Sequence, residues 1–124
     1  MRVQSKSKQG LYALGRLKVG ELNKTEKEYE NMLKVMLVAG EILWYKFEGI
    51  KLRLADNTFF TPDFFVMRSS GELECIEVKG FMFDDANVKI KVAAENFPFL
   101  FKIARVKPKK LGGGWDIRVI GNGN

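Results

Sequence analysis

The chain has 124 residues, of which 46% are hydrophobic, and it carries a net charge of +6 at pH 7. This length and apolar content suit one compact domain with a real core, and they exclude two domains or wholesale disorder. The absence of histidine excludes histidine-metal nucleases, Ser-His and Cys-His nucleophile systems and most zinc sites. Cys75 is the only cysteine, so no internal disulfide forms, and a reducing cytoplasmic location is expected. There is no run of 18 apolar residues, so no transmembrane helix is expected.

The positive charge is concentrated at the two ends of the chain. Residues 1–24 and residues 102–124 each contain six basic residues and one acidic residue, whereas residues 25–101 contain nine basic and thirteen acidic residues. Basic ends suit a polyanion such as DNA or RNA, and an acidic middle suits a bound cation. The same distribution also suits basic tails that merely keep a small protein soluble.

The chain is predicted to begin with a basic flexible arm and an amphipathic helix. Residues 1–20 mix Ser, Lys, Gln and Gly without a clear period, which is typical of an arm. Residues 23–39 are predicted to form the helix, capped by Asn23 or Thr25 and stopped by Gly40. Its apolar residues follow the helical i, i+3, i+4 spacing and are Tyr29, Met32, Leu33, Met36 and Leu37.

A β-rich block follows the helix. Strands are predicted at residues 42–47, 50–54, 59–67 and 73–78. Pro62 interrupts the third strand, which implies an edge, a bulge or a strand start at that point. Residues 68–71 read as a hairpin turn, which makes the third and fourth strands antiparallel neighbours.

The second half of the chain adds a helix and two strands. Asp84 or Asp85 is predicted to cap a helix that runs to about Asn96 and is ended by a following proline. The remaining segments are a strand at 99–106, a basic glycine-rich loop at 108–114, a strand at 115–120 and a tail at 121–124. This order predicts an α/β domain over residues 21–120, with one helix before a strand meander and one after it.

Three charged residues lie where the strands are expected to be buried. Asp63 opens the second part of the third strand, and Glu77 and Lys79 flank Val78 at the end of the next strand. Because side chains alternate across a strand, Glu77 and Lys79 share one face. Pairing the two strands across the hairpin places Asp63 within about one residue of Glu77 and Lys79.

Two carboxylates and a lysine on one face suit a hard cation beside a group that handles protons. Carboxylate oxygens suit Mg²⁺ or Mn²⁺, which can lower the pKa of a bound water and neutralise charge on a phosphodiester. The lysine can hold the nucleophilic water or stabilise the developing charge. The alternative is a structural Glu–Lys pair at a strand end. An acid fourteen residues upstream, directly after Thr61-Pro62, favours the catalytic interpretation.

Pro62-Asp63 followed by Glu77-Val78-Lys79 resembles the motif of the PD-(D/E)XK nuclease superfamily, which has a restriction-endonuclease-like fold. The flanking hydrophobic residues are similar too, namely Phe64, Phe65, Val66, Cys75 and Ile76. The family core has the order αβββαβ, with a mixed central sheet flanked by helices, and the resemblance spans about residues 22–106. The stretches at residues 24–26 and 77–81 make the chain similar to small phage-encoded endonucleases of the Holliday-junction-resolvase-like type.

The resemblance implies a role for each motif residue. Asp63 and Glu77 would be metal ligands, and Lys79 would be the catalytic lysine. The backbone carbonyl of Val78 would be a further ligand. The implied cofactor is Mg²⁺ or Mn²⁺, with no small-molecule cofactor.

A glutamate of the first helix commonly completes such a site in this family. The candidates are Glu26, Glu28 and Glu30. Glu26 lies about 50° from the centre of the apolar face and Glu30 about 90°, whereas Glu28 lies far round toward solvent. We therefore expect Glu26 to face the sheet, with a first-turn acid that interacts with the helix dipole as the alternative.

Several basic residues are candidates for nucleic-acid binding. Family members often place a basic or amide side chain of the second helix near the site, which favours Lys89, at the border of the apolar face, over Lys91 on the other flank. A solvated helix lysine is the alternative for both. The other candidates are Lys107, Lys109 and Lys110 in the glycine-rich loop and Arg16 and Lys18 in the arm. The loop lysines suit a phosphate-backbone clamp and suit a solvated loop equally well.

We therefore expect a metal-dependent endonuclease that hydrolyses phosphodiester bonds in DNA. The resemblance implies a phage- or prophage-encoded enzyme in the bacterial cytoplasm, with branched or duplex DNA as substrate and no membrane partner. A resolvase would be a homodimer, because two opposed cuts need two sites. The alternative is a catalytically silent nucleic-acid-binding module on the same fold, although such a relative would be expected to lose a motif residue.

Overall fold

The computed structural model describes residues 20–80 and 88–121. The first helix, α1, spans Lys24–Val38. The Asn23 side chain accepts a hydrogen bond from the Glu26 amide (2.8 Å), and the Glu26 carboxylate accepts one from the Asn23 amide (2.9 Å). This capping box satisfies two amides that have no partner within the helix. Of the two predicted caps, Asn23 is the one observed.

Seven strands and a second helix follow in the described residues. The strands are Ile42–Phe47 (β1), Leu52–Ala55 (β2), Thr58–Phe60 (β3), Phe64–Arg68 (β4), Leu73–Lys79 (β5), Leu100–Val106 (β6) and Trp115–Ile120 (β7). Five of them form a central sheet in the order β1-β4-β5-β6-β7, in which β5 and β6 are parallel and all other neighbours are antiparallel. With the helix α2 (Val88–Asn96), the protein is α/β with a mixed central sheet and two helices, which confirms the predicted class.

The strand-like run predicted over residues 59–67 is two strands, and of the alternatives predicted at Pro62 the start of a new strand is the one observed. The structure divides the run at Pro62 into β3 and β4, because proline has no amide hydrogen to donate to a strand ladder. β3 turns back on β2 to form a separate hairpin, and Asn57 adopts a left-handed φ of 55° at the turn between them. Only β4 joins the central sheet, so Asp63 lies directly before a sheet strand.

Different elements cover the two faces of the central sheet. α1 covers one face, where Tyr29 packs in a buried cluster with Phe64 and Ile76. α2 and the β2–β3 hairpin cover the other face, where Ile90 packs in a second cluster with Cys75. Cys75 and Ile76 are consecutive in β5, so their side chains point to opposite faces of the sheet. Because both side chains are buried, β5 is covered on both faces.

The predictions for the second helix and for the basic loop at residues 108–114 can be compared with the structure only in part. The predicted start at Asp84 or Asp85 falls outside the described residues, whereas the predicted end at Asn96 is confirmed. The basic loop contains a short 3-10 helix, Lys109–Leu111. Three glycines at 112–114 follow it, all with positive φ, a conformation that favours glycine.

The predicted arm and tail lie outside the described residues, except for Gly20 and Gly121. Within the described part of the chain, no helix is long and apolar enough to cross a membrane.

Candidate active site

One end of the central sheet (the site end) brings together segments that are far apart in sequence. Because β5 and β6 are parallel, their carboxyl ends at Lys79 and Val106 both lie here. β4 is antiparallel to β5 and therefore begins here, with Asp63 directly before it. The loop of residues 107–114 leaves β6 and returns to β7 at the same end. The predicted acids, the lysine and the basic loop thus share one end of the sheet.

Asp63 and Glu77 lie opposite each other on neighbouring strands. Phe64 is opposite Ile76 in the β4–β5 ladder, so the preceding Asp63 reaches the level of Glu77. The Asp63 amide donates a hydrogen bond to Glu77 Oε1 (3.2 Å), and the Val78 amide donates one to Asp63 Oδ2 (2.8 Å). The juxtaposition expected from the hairpin register is therefore observed, with each carboxylate held by a backbone amide of the other strand.

Lys79 shares a face of β5 with Glu77. Its Nζ lies 3.9 Å from Glu77 Oε2, and the two side chains are 23% and 14% exposed. Val78, between them, is buried on the α1 side of the sheet. The Lys79 ammonium group is therefore close enough to interact with the Glu77 carboxylate. Its side chain is also exposed enough to contact a bound molecule.

The two carboxylates have raised pKa values. Burial raises the pKa of Asp63 well above the ordinary aspartate range, and the Glu77 charge raises it further, while the hydrogen bond from Val78 opposes the rise. Burial also raises the pKa of Glu77, against the opposing effect of the Lys79 charge. Glu26 raises the pKa of both groups through its negative charge. Too little positive charge faces these acids, so the site favours a bound proton or a bound cation.

Of the three helix glutamates, Glu26 is the one near the paired carboxylates. It lies within electrostatic range of Asp63 and Glu77, whereas the Glu30 carboxylate accepts a hydrogen bond from the Tyr45 hydroxyl (2.8 Å). Glu28 is exposed. The alternative of a structural first-turn acid also holds for Glu26, because the same carboxylate closes the capping box at the start of α1.

The donor chemistry suits a hard divalent cation, but the carboxylates are not gathered around one point. Within residues 20–80 and 88–121, no group of three or more histidine, cysteine, aspartate or glutamate side chains is arranged to hold a metal ion. Asp63, Glu77 and Glu26 each direct one oxygen at a backbone amide. The fit rests on two partly buried carboxylates, Asp63 and Glu77, whose repulsion a cation would relieve. Glu26 and the Val78 carbonyl remain predicted ligands.

Two charged residues at the site were missed from the sequence. Glu48 follows β1, adopts a φ of 51° and donates its amide hydrogen to the Asp63 carbonyl (2.7 Å). Its negative charge contributes to the raised pKa of Glu77. Arg105 is the direct partner of Lys79 in the parallel β5–β6 ladder and therefore extends the same face with a second positive charge. The sequence held no local signal for either placement.

Only some of the predicted nucleic-acid-binding residues lie at the site end of the sheet. Lys107, Lys109 and Lys110 are exposed in the loop at the site end. Lys89 and Lys91 are exposed on α2. Lys91 lines a groove with residues 118–121, which run toward the opposite end of the sheet, so the structure does not bring it to the acids. Arg16 and Lys18 fall outside the described residues.

The chain was compared with known proteins by sequence and by structure. No protein-family model matches it, and no curated protein or solved structure matches it either. The resemblance to PD-(D/E)XK nucleases therefore rests on the motif residues and on the order of the elements.

Proposed function

We propose that the protein is a metal-dependent endonuclease that hydrolyses DNA phosphodiester bonds at Asp63, Glu77 and Lys79. The observation that carries the proposal is the pairing of two partly buried carboxylates, next to a lysine, at the end of a mixed sheet. The fold supports it as well. When the β2–β3 hairpin is set aside, the order α1, β1, β4, β5, α2, β6 has the αβββαβ pattern of a restriction-endonuclease-like core.

Each residue has a role that follows from its position. Asp63 and Glu77 would hold Mg²⁺ or Mn²⁺, which when bound supplies charge neutralisation and a water of lowered pKa. Lys79 lies beside Glu77 and is partly exposed, so it is placed to stabilise negative charge developing on a phosphate. Arg105, its ladder partner, would add a second positive charge on the same face, next to its own partner Asp116 in β7.

The charge of the site end supports a nucleic-acid substrate. The acids at the centre repel phosphate unless a cation is bound, whereas Lys107, Lys109 and Lys110 stand in the loop beside them. Backbone contacts of this kind bind nucleic acid without reading its sequence. A cation at the acids and phosphates along the loop are therefore compatible occupants.

The proposal is tested by cleavage of labelled duplex and four-way-junction DNA with Mg²⁺, Mn²⁺ or excess chelator. Lys79→Ala and Asp63→Ala should each lower the cleavage rate about a hundredfold or more, because the first removes a positive charge that stabilises the transition state and the second removes a ligand of the cation. Lys34→Ala, which removes an exposed lysine on α1, is the matched control and should cleave normally. Wild-type rates in either site variant, or in chelator, would refute the proposal.

The junction substrate also tests the narrower resolvase proposal. A resolvase should cut the four-way junction much faster than the linear duplex. Equal rates on both would indicate a general endonuclease.

A second candidate function is a catalytically silent nucleic-acid-binding module. It is favoured by the lack, in the described part of the chain, of three or more acidic side chains arranged to hold a metal. Calorimetry with Mn²⁺ separates the two functions. Binding that Asp63→Ala abolishes supports the nuclease, whereas no metal binding together with tight DNA binding supports the module.

A further inference from the structure

β7 forms one edge of the central sheet in the described part of the chain. Among the described strands, β6 is its only neighbour. The β6–β7 ladder runs without a register shift from the Val106–Trp115 pair to the Phe101–Ile120 pair. A regular edge strand presents a row of backbone donors and acceptors that another strand can use.

The two faces of β7 differ in chemistry. Trp115 packs edge-on against Tyr29, so Trp115, Ile117 and Val119 lie on the α1 side of the sheet. α1 does not extend over the last two of these, and Ile117 and Val119 are 42% and 47% exposed. Asp116 and Arg118 alternate with them on the other face. The strand thus carries an apolar stripe on one face and one acid and one base on the other.

We infer that β7 pairs antiparallel with β7 of a second copy of this chain, centred on Ile117. In that register Ile117 meets its own copy, and each Asp116 lies opposite the Arg118 of the other chain. Oppositely charged residues at directly opposed positions stabilise a strand pair, and like charges destabilise it. A register centred on Asp116 or on Arg118 would oppose two like charges. Among the registers centred on residues 116 to 118, only the one centred on Ile117 pairs opposite charges, which makes the strand self-complementary, and Trp115 and Val119 extend the apolar stripe across the junction.

The other edge strand, β1, lacks these properties. Its ladder with β4 has a register shift between Ile42 and Trp44, and Lys46 is exposed on it. Bulges and lysines are devices by which edge strands avoid pairing. β1 does expose Leu43, at 54%, so it provides a control with a similar apolar residue on an edge that is not expected to pair.

The dimer joins two five-stranded sheets into one continuous sheet. β5, which carries Glu77 and Lys79, lies two strands from the junction in each copy. The pairing does not depend on the proposed nuclease activity, and its test does not involve DNA.

Sedimentation of the full chain over a range of concentrations tests the inference. The wild type should be a dimer, and Ile117→Arg should weaken dimerisation about tenfold or more, because two arginines meet at the centre of the junction. Leu43→Arg should leave it unchanged. Circular dichroism and thermal melting of each variant check that the chain is folded. A monomeric wild type, or a dimer dissociated by Leu43→Arg and not by folded Ile117→Arg, would overturn the inference.

A charge exchange tests the register itself. Asp116→Arg should weaken the homodimer, because it places an arginine opposite Arg118 of the other copy. Arg118→Asp should weaken it as well, because it places an aspartate opposite Asp116 of the other copy. Mixing the two variants should restore the dimer as a heterodimer, since one chain then carries arginine at both positions and faces a chain that carries aspartate at both. If the folded variants fail to associate when mixed, the proposed register is wrong.

Discussion

Asp63 and Glu77 face each other across β4 and β5 with two acids, Glu26 and Glu48, nearby and Lys79 as an opposing charge. Their raised pKa values make the folded chain bind protons more tightly than the unfolded chain does. The free energy of unfolding must therefore fall as the pH rises from the ordinary carboxyl range through the raised pKa values. Below the ordinary range both states are protonated, and this loss of stability is absent. In the proposed nuclease, a cation bound at these acids would offset this loss at neutral pH.

Asp63→Asn tests this linkage. The amide cannot ionise, and its oxygen can still accept the hydrogen bond that Val78 donates to Asp63. We expect the variant to melt at a higher temperature than the wild type at about pH 8, with a difference that shrinks toward about pH 4. Asp56→Asn, at a carboxylate that is 90% exposed, is the matched control. A difference for Asp63→Asn that does not change with pH would contradict the linkage.

At the start of α1, one glutamate is shared between the helix and the site. Glu26 closes the capping box with Asn23 and also acts electrostatically on Asp63 and Glu77. The capping box holds this carboxylate at the start of α1. The stability of the helix end and the charge of the site are therefore linked through a single side chain.

Asn23→Ala should lower the free energy of unfolding by about 1 kcal/mol, because it removes the side-chain acceptor for the Glu26 amide. Asn23→Ser keeps an acceptor and should lose much less. Urea denaturation of both variants measures the difference. Equal losses in the two variants would show that the cap contributes through something other than this hydrogen bond.

The elements differ in how well they could be predicted. α1, β1 and β7 end within about one residue of their predicted bounds, because each carries a clear period or a clear turn residue at its ends. The segment around Pro62 was predicted as one strand-like run because β3 and β4 are both apolar, and periodicity alone cannot separate two strands of different sheets. The proline was the correct signal, and it marked the division between the sheets.

At the scale of the whole molecule, three exposed lysines lie in the loop after β6, at the same end of the sheet as the acids. Lys107, Lys109 and Lys110 are exposed there, and parallel pairing of β5 and β6 brings the loop to the site end. Exchanging all three for alanine should weaken DNA binding and reduce the salt dependence of affinity. The slope of log affinity against log salt should fall by up to about 0.9 for each phosphate contact that is lost.

A triple alanine variant at Lys34, Lys46 and Lys51 removes the same charge from exposed positions elsewhere. It should keep nearly the full slope. Fluorescence anisotropy with a short duplex at several salt concentrations measures both variants. Equal slopes would mean that net charge, and not the loop, accounts for binding.

The sequence by itself determined the α/β class, the first helix and the pairing of Asp63 with Glu77, and it left two candidate caps, between which the structure decided for Asn23. That pairing is local, because the turn at residues 68–71 sets the register of the two strands it joins. Only the tertiary structure decided that β2 and β3 leave the central sheet, and that Glu48 and Arg105 reach the site. The parallel pairing of β5 with β6 and the positive φ of Glu48 depend on contacts between segments that are distant in sequence. Such contacts leave no short pattern in the sequence.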